Sequence, residues 1–121
     1  MIAPIFPVCA ASAAVTALIG TSPVRLYPFG EHDDTIVYPY AVWQNIDGEP
    51  PMYLDTVPDF DSYKLQIDVY ANTAAEASAV AEALRNAIQP KAYITRWGPQ
   101  GRDTETKRYR YSFDVDWIVK R

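Results

Sequence analysis

Residues 62–71 read Ser-Tyr-Lys-Leu-Gln-Ile-Asp-Val-Tyr-Ala, and after Asn72 residues 73–88 continue Thr-Ala-Ala-Glu-Ala-Ser-Ala-Val-Ala-Glu-Ala-Leu-Arg-Asn-Ala-Ile. In the first run Tyr63, Leu65, Ile67, Val69 and Ala71 alternate with Lys64, Gln66 and Asp68. That is the period of a strand with one face buried. In the second run Ala77, Val80, Ala81, Leu84 and Ile88 recur at helical spacing. Thr73 stands where an N-cap is needed, with Glu76 three residues on to complete a capping box, and Pro90 lies just past the end. A half-buried strand running directly into an amphipathic helix calls for a sheet with helices on one side.

The same period-two pattern returns at residues 107–119. Tyr109, Tyr111, Phe113, Val115, Trp117 and Val119 alternate with Arg108, Arg110, Ser112, Asp114 and Asp116. This predicts a long closing strand. Shorter strands are predicted at Val24–Tyr27, at Tyr38–Asn45 with Pro39 near its start, and at Ala92–Trp97, followed by a polar hairpin loop over Gly98–Thr106. Near the N-terminus Ile5, Val8, Ala11, Val15, Leu18 and Ile19 form one helical stripe. Pro4 and Pro7 fall where a helix start tolerates proline, and Gly20 falls where a helix stops. One helix over Ile5–Ile19 is therefore expected. The order is α-β-β-β-α-β-β, an α+β two-layer sandwich: a mostly antiparallel sheet of four to five strands with two helices on one face.

Length and composition agree with this reading. A chain of 121 residues, 49% hydrophobic and 21% charged, is expected to form a single domain over 1–121. A domain of this size buries roughly two-thirds of its unfolded surface and needs no metal or disulfide to fold. Met1–Pro23 contain no charged side chain. Yet this stretch lacks the basic start of a secretory signal, and its prolines and alanines make a poor membrane span. The formal charge of −4 argues against whole-surface nucleic-acid binding, although it suits a channel through which DNA slides without sticking.

The residues offer little to catalysis. Cys9 stands alone in an apolar helix, so a buried structural thiol is the expectation. His32 is the only histidine, and Glu31, Asp33 and Asp34 beside it are consecutive loop residues that do not converge as metal ligands do. No nucleophile elbow, phosphate-binding glycine loop or zinc-protease motif occurs. Asp114 and Asp116 share a strand face about 7 Å apart, an acid–base spacing that alternating surface charges produce far more often. Neither an enzymatic activity nor a catalytic, metal or cofactor site is expected.

Assembly is the better reading. Arg108, Arg110, Ser112, Asp114 and Asp116 run from positive to negative along one strand, which as an edge would present complementary charge blocks to a second copy. Glu49–Asp61 is proline-stiffened, apolar and too long for a tight turn. The candidate contacts between subunits, or with a partner, are Met52, Tyr53, Leu54 and Asp55 in that stretch, with Arg102, Arg108, Arg110, Asp114 and Asp116. Tyr93 and Trp97 are candidate aromatic anchors.

The succession Ser22–Tyr27, Pro39–Trp43, Tyr63–Asn72 running into the alanine-rich helix through Ile88, and Arg108–Val119 resembles the small tail-completion (tail-terminator) proteins of long-tailed phages and prophages. The match covers nearly the whole chain, and its most specific piece is Leu65–Asn72 leading into that helix. The resemblance implies a virion protein that assembles as a hexameric ring on the last ring of the tail tube. Its implied partners are itself, the tail tube protein, the head-completion or connector protein, and DNA passing through the lumen unread, with no membrane. It also implies a place at the head-proximal end of the tail, with assembly in the host cytoplasm, and it supplies no catalytic residues. Two other readings fit the element order: a neck adaptor bound to the connector, and a small-molecule-binding α+β domain. A lone monomer with a ligand would mark the last, and binding only to portal-side proteins would mark the adaptor.

Overall fold

The computed structural model describes residues 4–20, 24–29, 37–47, 60–102 and 108–120. The elements are α1 (Ile5–Ala10), α2 (Ala13–Ile19), β1 (Leu26–Pro28), β2 (Tyr40–Asp47), β3 (Phe60–Ala71), α3 (Ala74–Ile88), β4 (Tyr93–Arg102) and β5 (Tyr109–Lys120). They form an α+β fold with an open, mixed five-stranded sheet in the order β1-β2-β3-β5-β4. Each pairing is antiparallel except β1 with β2, which is parallel.

The alternation of β3 and β5 becomes two distinct faces. Tyr63, Leu65, Ile67, Val69 and Ala71 are buried, and Tyr111, Phe113, Val115 and Trp117 are buried beside them. The two strands are in register, with Leu65 opposite Val115 and Ile67 opposite Phe113. This apolar layer packs against α3 through Ala77, Val80, Ala81, Leu84 and Ile88, and Ile5, Cys9, Val15 and Ile19 of α1 and α2, which pack on α3, complete the same core. Burying a side chain such as Leu65, Ile67, Leu84 or Phe113 stabilises the fold by about 1.5–3 kcal/mol.

Helix α3 begins as the capping pattern predicts. The Thr73 hydroxyl accepts from the Glu76 backbone N–H at 3.1 Å. The return bond is displaced by one residue: the Glu76 carboxylate accepts from the N–H of Asn72, at 3.2 Å, and not from that of Thr73.

Several expectations are corrected. The single N-terminal helix is two, because Ser12 adopts an extended conformation (φ −87°, ψ 120°) and its hydroxyl accepts from the Val15 N–H, at 3.3 Å, as the N-cap of α2. A serine that bonds the backbone locally competes with helix continuation. Gly20 ends α2 at φ +88°, a conformation that favours glycine. Of the expected hairpin loop over Gly98–Thr106, residues 98–102 belong to β4, and residues 103–106 lie outside the described residues. Residues 98–99 form an irregularity between Trp97 and Gln100, with Gly98 at φ +106°, after which β4 resumes its pairing as far as Arg102. Strand β1 lies one to two residues later than predicted, and β2 runs on to Asp47.

Among the described residues no helix is long and apolar enough to cross a membrane, and no group of three or more His, Cys, Asp or Glu is placed to hold a metal ion.

Candidate functional site

The face of the sheet turned away from the helices carries the polar residues of each strand. Lys64, Gln66, Asp68 and Tyr70 come from β3, and Arg110, Ser112, Asp114 and Asp116 from β5, paired Lys64 with Asp116, Gln66 with Asp114, Asp68 with Ser112 and Tyr70 with Arg110. The charges are matched across the strands. Arg96 of β4 grips Asp114 with two bonds, Nε to Oδ2 at 2.7 Å and Nη2 to Oδ1 at 2.9 Å. The same guanidinium donates to the Gly98 carbonyl and to the Ser112 hydroxyl at 3.4 Å. Bonding to Asp114 holds the Arg96 guanidinium above its ordinary pKa. Arg110 lies 3.4 Å from Asp68, whose two carboxylate oxygens also accept from the Gln66 amide at 3.2 and 3.3 Å. Lys64 lies 4.0 Å from Asp116.

One end of this face is aromatic. Tyr40 stacks on Tyr70 across the β2–β3 pair with ring centroids 5.2 Å apart, and it touches Tyr38 at 5.4 Å and Tyr27 at 6.4 Å. The Arg108 guanidinium sits 4.7 Å above the Tyr38 ring. Burial, reinforced by Tyr38 and Tyr70, pushes the Tyr40 phenol up to about 12. Tyrosine and arginine packed this way are the residue types enriched where proteins meet one another.

The residues singled out from sequence are placed as follows. Arg108, Arg110, Asp114 and Asp116 come together on this face. Strand β5, however, lies between β3 and β4, so it is not the edge expected for it, and the carboxylates and Arg110 have partners within the chain. The spacing of Asp114 and Asp116 is used for two separate ion pairs. Arg102 stands opposite Tyr109, its guanidinium 5.8 Å above that ring, on the helix side, where Ala74, Ala77 and Gln100 border a shallow groove. Trp97 packs on Tyr111 and Phe113 at 5.0 and 5.1 Å with Arg85 of α3 above it, and it remains 40% exposed. Tyr93 is 67% exposed. Met52, Tyr53, Leu54 and Asp55 lie outside the described residues. Cys9 is buried within the helical layer, and burial pushes its thiol up to about 12.

Sequence reading missed the tyrosine cluster and Arg96. The signal for the first was Tyr38 and Tyr40 two residues apart, which puts both on one strand face. Tyr70 joins them only through the β2–β3 register.

These features describe a charge-paired polar sheet face with a tyrosine cluster at one end. The family model described as tail completion protein gp17 matches residues 3–120. The chain belongs to this family. It is a phage-type structural virion protein of the tail-completion class. Among solved structures, this tail-completion chain is similar to a chain in the virion of the native gene transfer agent (GTA) particle. The TM-score is 0.76 with 16% sequence identity over 97% of this chain and 92% of that one, a likeness of fold. No curated protein matches the chain.

Proposed function

We propose that residues 1–121 act as one domain and that six copies form a ring capping the tail tube, ending its polymerisation and offering a surface to the head connector. The observation that carries this reading is membership of the tail-completion family over residues 3–120. A ring that matches the tube on one side and differs on the other halts further addition. The protein then resides at the head-proximal end of the tail in the virion and assembles in the host cytoplasm. The chain's charge of −4 lets DNA pass through the lumen without specific binding.

No enzymatic role is proposed. Asp114, Asp116 and Asp68 serve ion pairs across the sheet, and the Cys9 thiol is buried and protonated. Met52–Asp55, with Arg102, Arg108, Arg110, Asp114 and Asp116, are proposed as contacts with neighbouring subunits or the tube.

The test is arrest of tube growth. Tube protein polymerised alone gives long tubes of broad length distribution. Added chain is expected to stop growth, to be found at tube ends by electron microscopy, and to allow capped tubes to bind connector protein. Unchanged tube growth at excess chain would refute the capping role. Binding confined to connector proteins would favour a neck adaptor.

A further inference from the structure

Strand β5 is attached very differently to its two neighbours. With β3 it pairs without interruption from Phe60 to Ala71. With β4 the ladder is broken into three short blocks: Tyr93 and Ile94, then Arg96 and Trp97, then Gln100 to Arg102. Thr95, Gly98 and Pro99 have no partner across this ladder, and Ser112 of β5 stands opposite the second break. Pro99 has no N–H to donate. Burial differs in the same way. Leu65, Ile67 and Val69 of β3 and Phe113 and Val115 of β5 are fully buried, and α3 packs on these two strands. On β4 no residue is buried: Ile94 and Gly98 are half-buried and the rest are exposed.

Side chains tie β4 down at few places. Arg96 holds Asp114 of β5 with two bonds, at 2.7 and 2.9 Å, and reaches the Ser112 hydroxyl at 3.4 Å. It also donates to the Gly98 carbonyl of its own strand, so this one guanidinium spans the second break. Trp97 lies on Tyr111 and Phe113 yet stays 40% exposed, and Ile94 packs on the margin of the core. A segment with few buried apolar contacts and a broken ladder opens at lower free energy than the core beside it.

We infer that β4 is a latch: Tyr93–Arg102 lifts from β5 as a unit, with Arg96 as its clasp, while the helices and β1, β2, β3 and β5 stay packed. Opening leaves β5 with an unpaired row of N–H and C=O groups along Tyr109–Asp116, an edge of the kind to which another strand adds. Closed, β4 covers that edge. This device belongs to the fold of the single chain and holds whether or not the chain forms a ring.

Amide hydrogen exchange of the full chain, read residue by residue by NMR, is the test. The ladder amides of β4 are expected to exchange at least about a hundredfold faster than those of β3. Along β5 the amides alternate between the two neighbours, so those turned to β4 exchange with β4 and those turned to β3 stay protected. Ile67→Val thins the core without unfolding it. It is expected to speed the β3 amides about two- to tenfold and to leave the β4 amides unchanged, because the open form keeps Ile67 packed. Arg96→Met is expected to speed the β4 amides about fivefold. Salt at about 1 M does the same to the wild type and adds nothing in the variant. Amides of β4 as protected as those of β3, or an equal response of both to Ile67→Val, would show that β4 leaves only when the whole chain unfolds and would overturn the latch. Unchanged β4 exchange in Arg96→Met would overturn it as well, by removing the clasp.

Discussion

The contact between Arg96 and Asp114 ties the border strand β4 to the sheet beside an irregularity in their pairing, and a double-mutant cycle measures its strength. The perturbations are Arg96→Met, Asp114→Asn and the pair. The bonds of Arg96 to Gly98 and Ser112 are lost in both backgrounds, so they cancel and the cycle isolates the two bonds at 2.7 and 2.9 Å. Exposed ion pairs contribute about 0.2–1 kcal/mol. Here the carboxylate side is only 16% exposed and the guanidinium 41%, and the geometry is bidentate and charge-assisted. The coupling therefore belongs at the upper end of that range, about 1 kcal/mol. Urea unfolding of the four proteins at constant slope reads it out. Raising the salt from about 0.1 to 1 M shortens the screening length from about 10 to 3 Å, so the coupling is expected to shrink. A coupling indistinguishable from zero, or one that grows with salt, would refute the claim that this ion pair holds β4 in place.

Further outcomes are expected from other elements. Ser12→Ala removes the cap of α2 and is expected to cost about 1 kcal/mol, measured by urea unfolding; no loss would show that the break between α1 and α2 does not depend on the hydroxyl. Arg110→Glu is expected to weaken assembly far more than folding, because its ion pair with Asp68 involves a half-exposed side chain and contributes about 1 kcal/mol or less; equal loss of both would place Arg110 in the fold alone. Cys9 and Tyr40 both titrate at about 12 in the folded chain, above their ordinary 9.0 and 10.0. The unfolded chain thus loses these protons first, and stability, full below pH 9, is expected to fall as pH rises from there toward 12. A urea midpoint that is level or rising across that window would contradict it. At neutral pH, native Cys9 is expected to resist thiol reagents until the chain is unfolded.

The faces of β3 and β5 and the cap, stripe and end of α3 were legible because each depends on neighbours within a few residues. Alternation tells which side of a strand is buried but not which strand lies beside it. That is why β5 could be read as an edge when it lies between β3 and β4, and why the partners Arg96–Asp114 and Tyr40–Tyr70 were out of reach. Gly98-Pro99 is equally good chemistry for a loop and for an interruption within a strand; the pairing of Gln100–Arg102 with Tyr109–Tyr111 decides between them. Ser12 was hidden by the alanines around it, which suit an unbroken helix while the serine hydroxyl caps a new one. Of the candidate contacts, the charged residues of β5 were found as a group from their alternation. The aromatic residues beside them were scattered in sequence and are assembled only by the sheet.

The mass of the purified chain in solution, alone and with tube protein, tests the central claim most directly. Six copies of the 13.6 kDa subunit, free in solution or fixed at tube ends, is the expected result. A species of 13.6 kDa that persists at high concentration and beside growing tubes would contradict it.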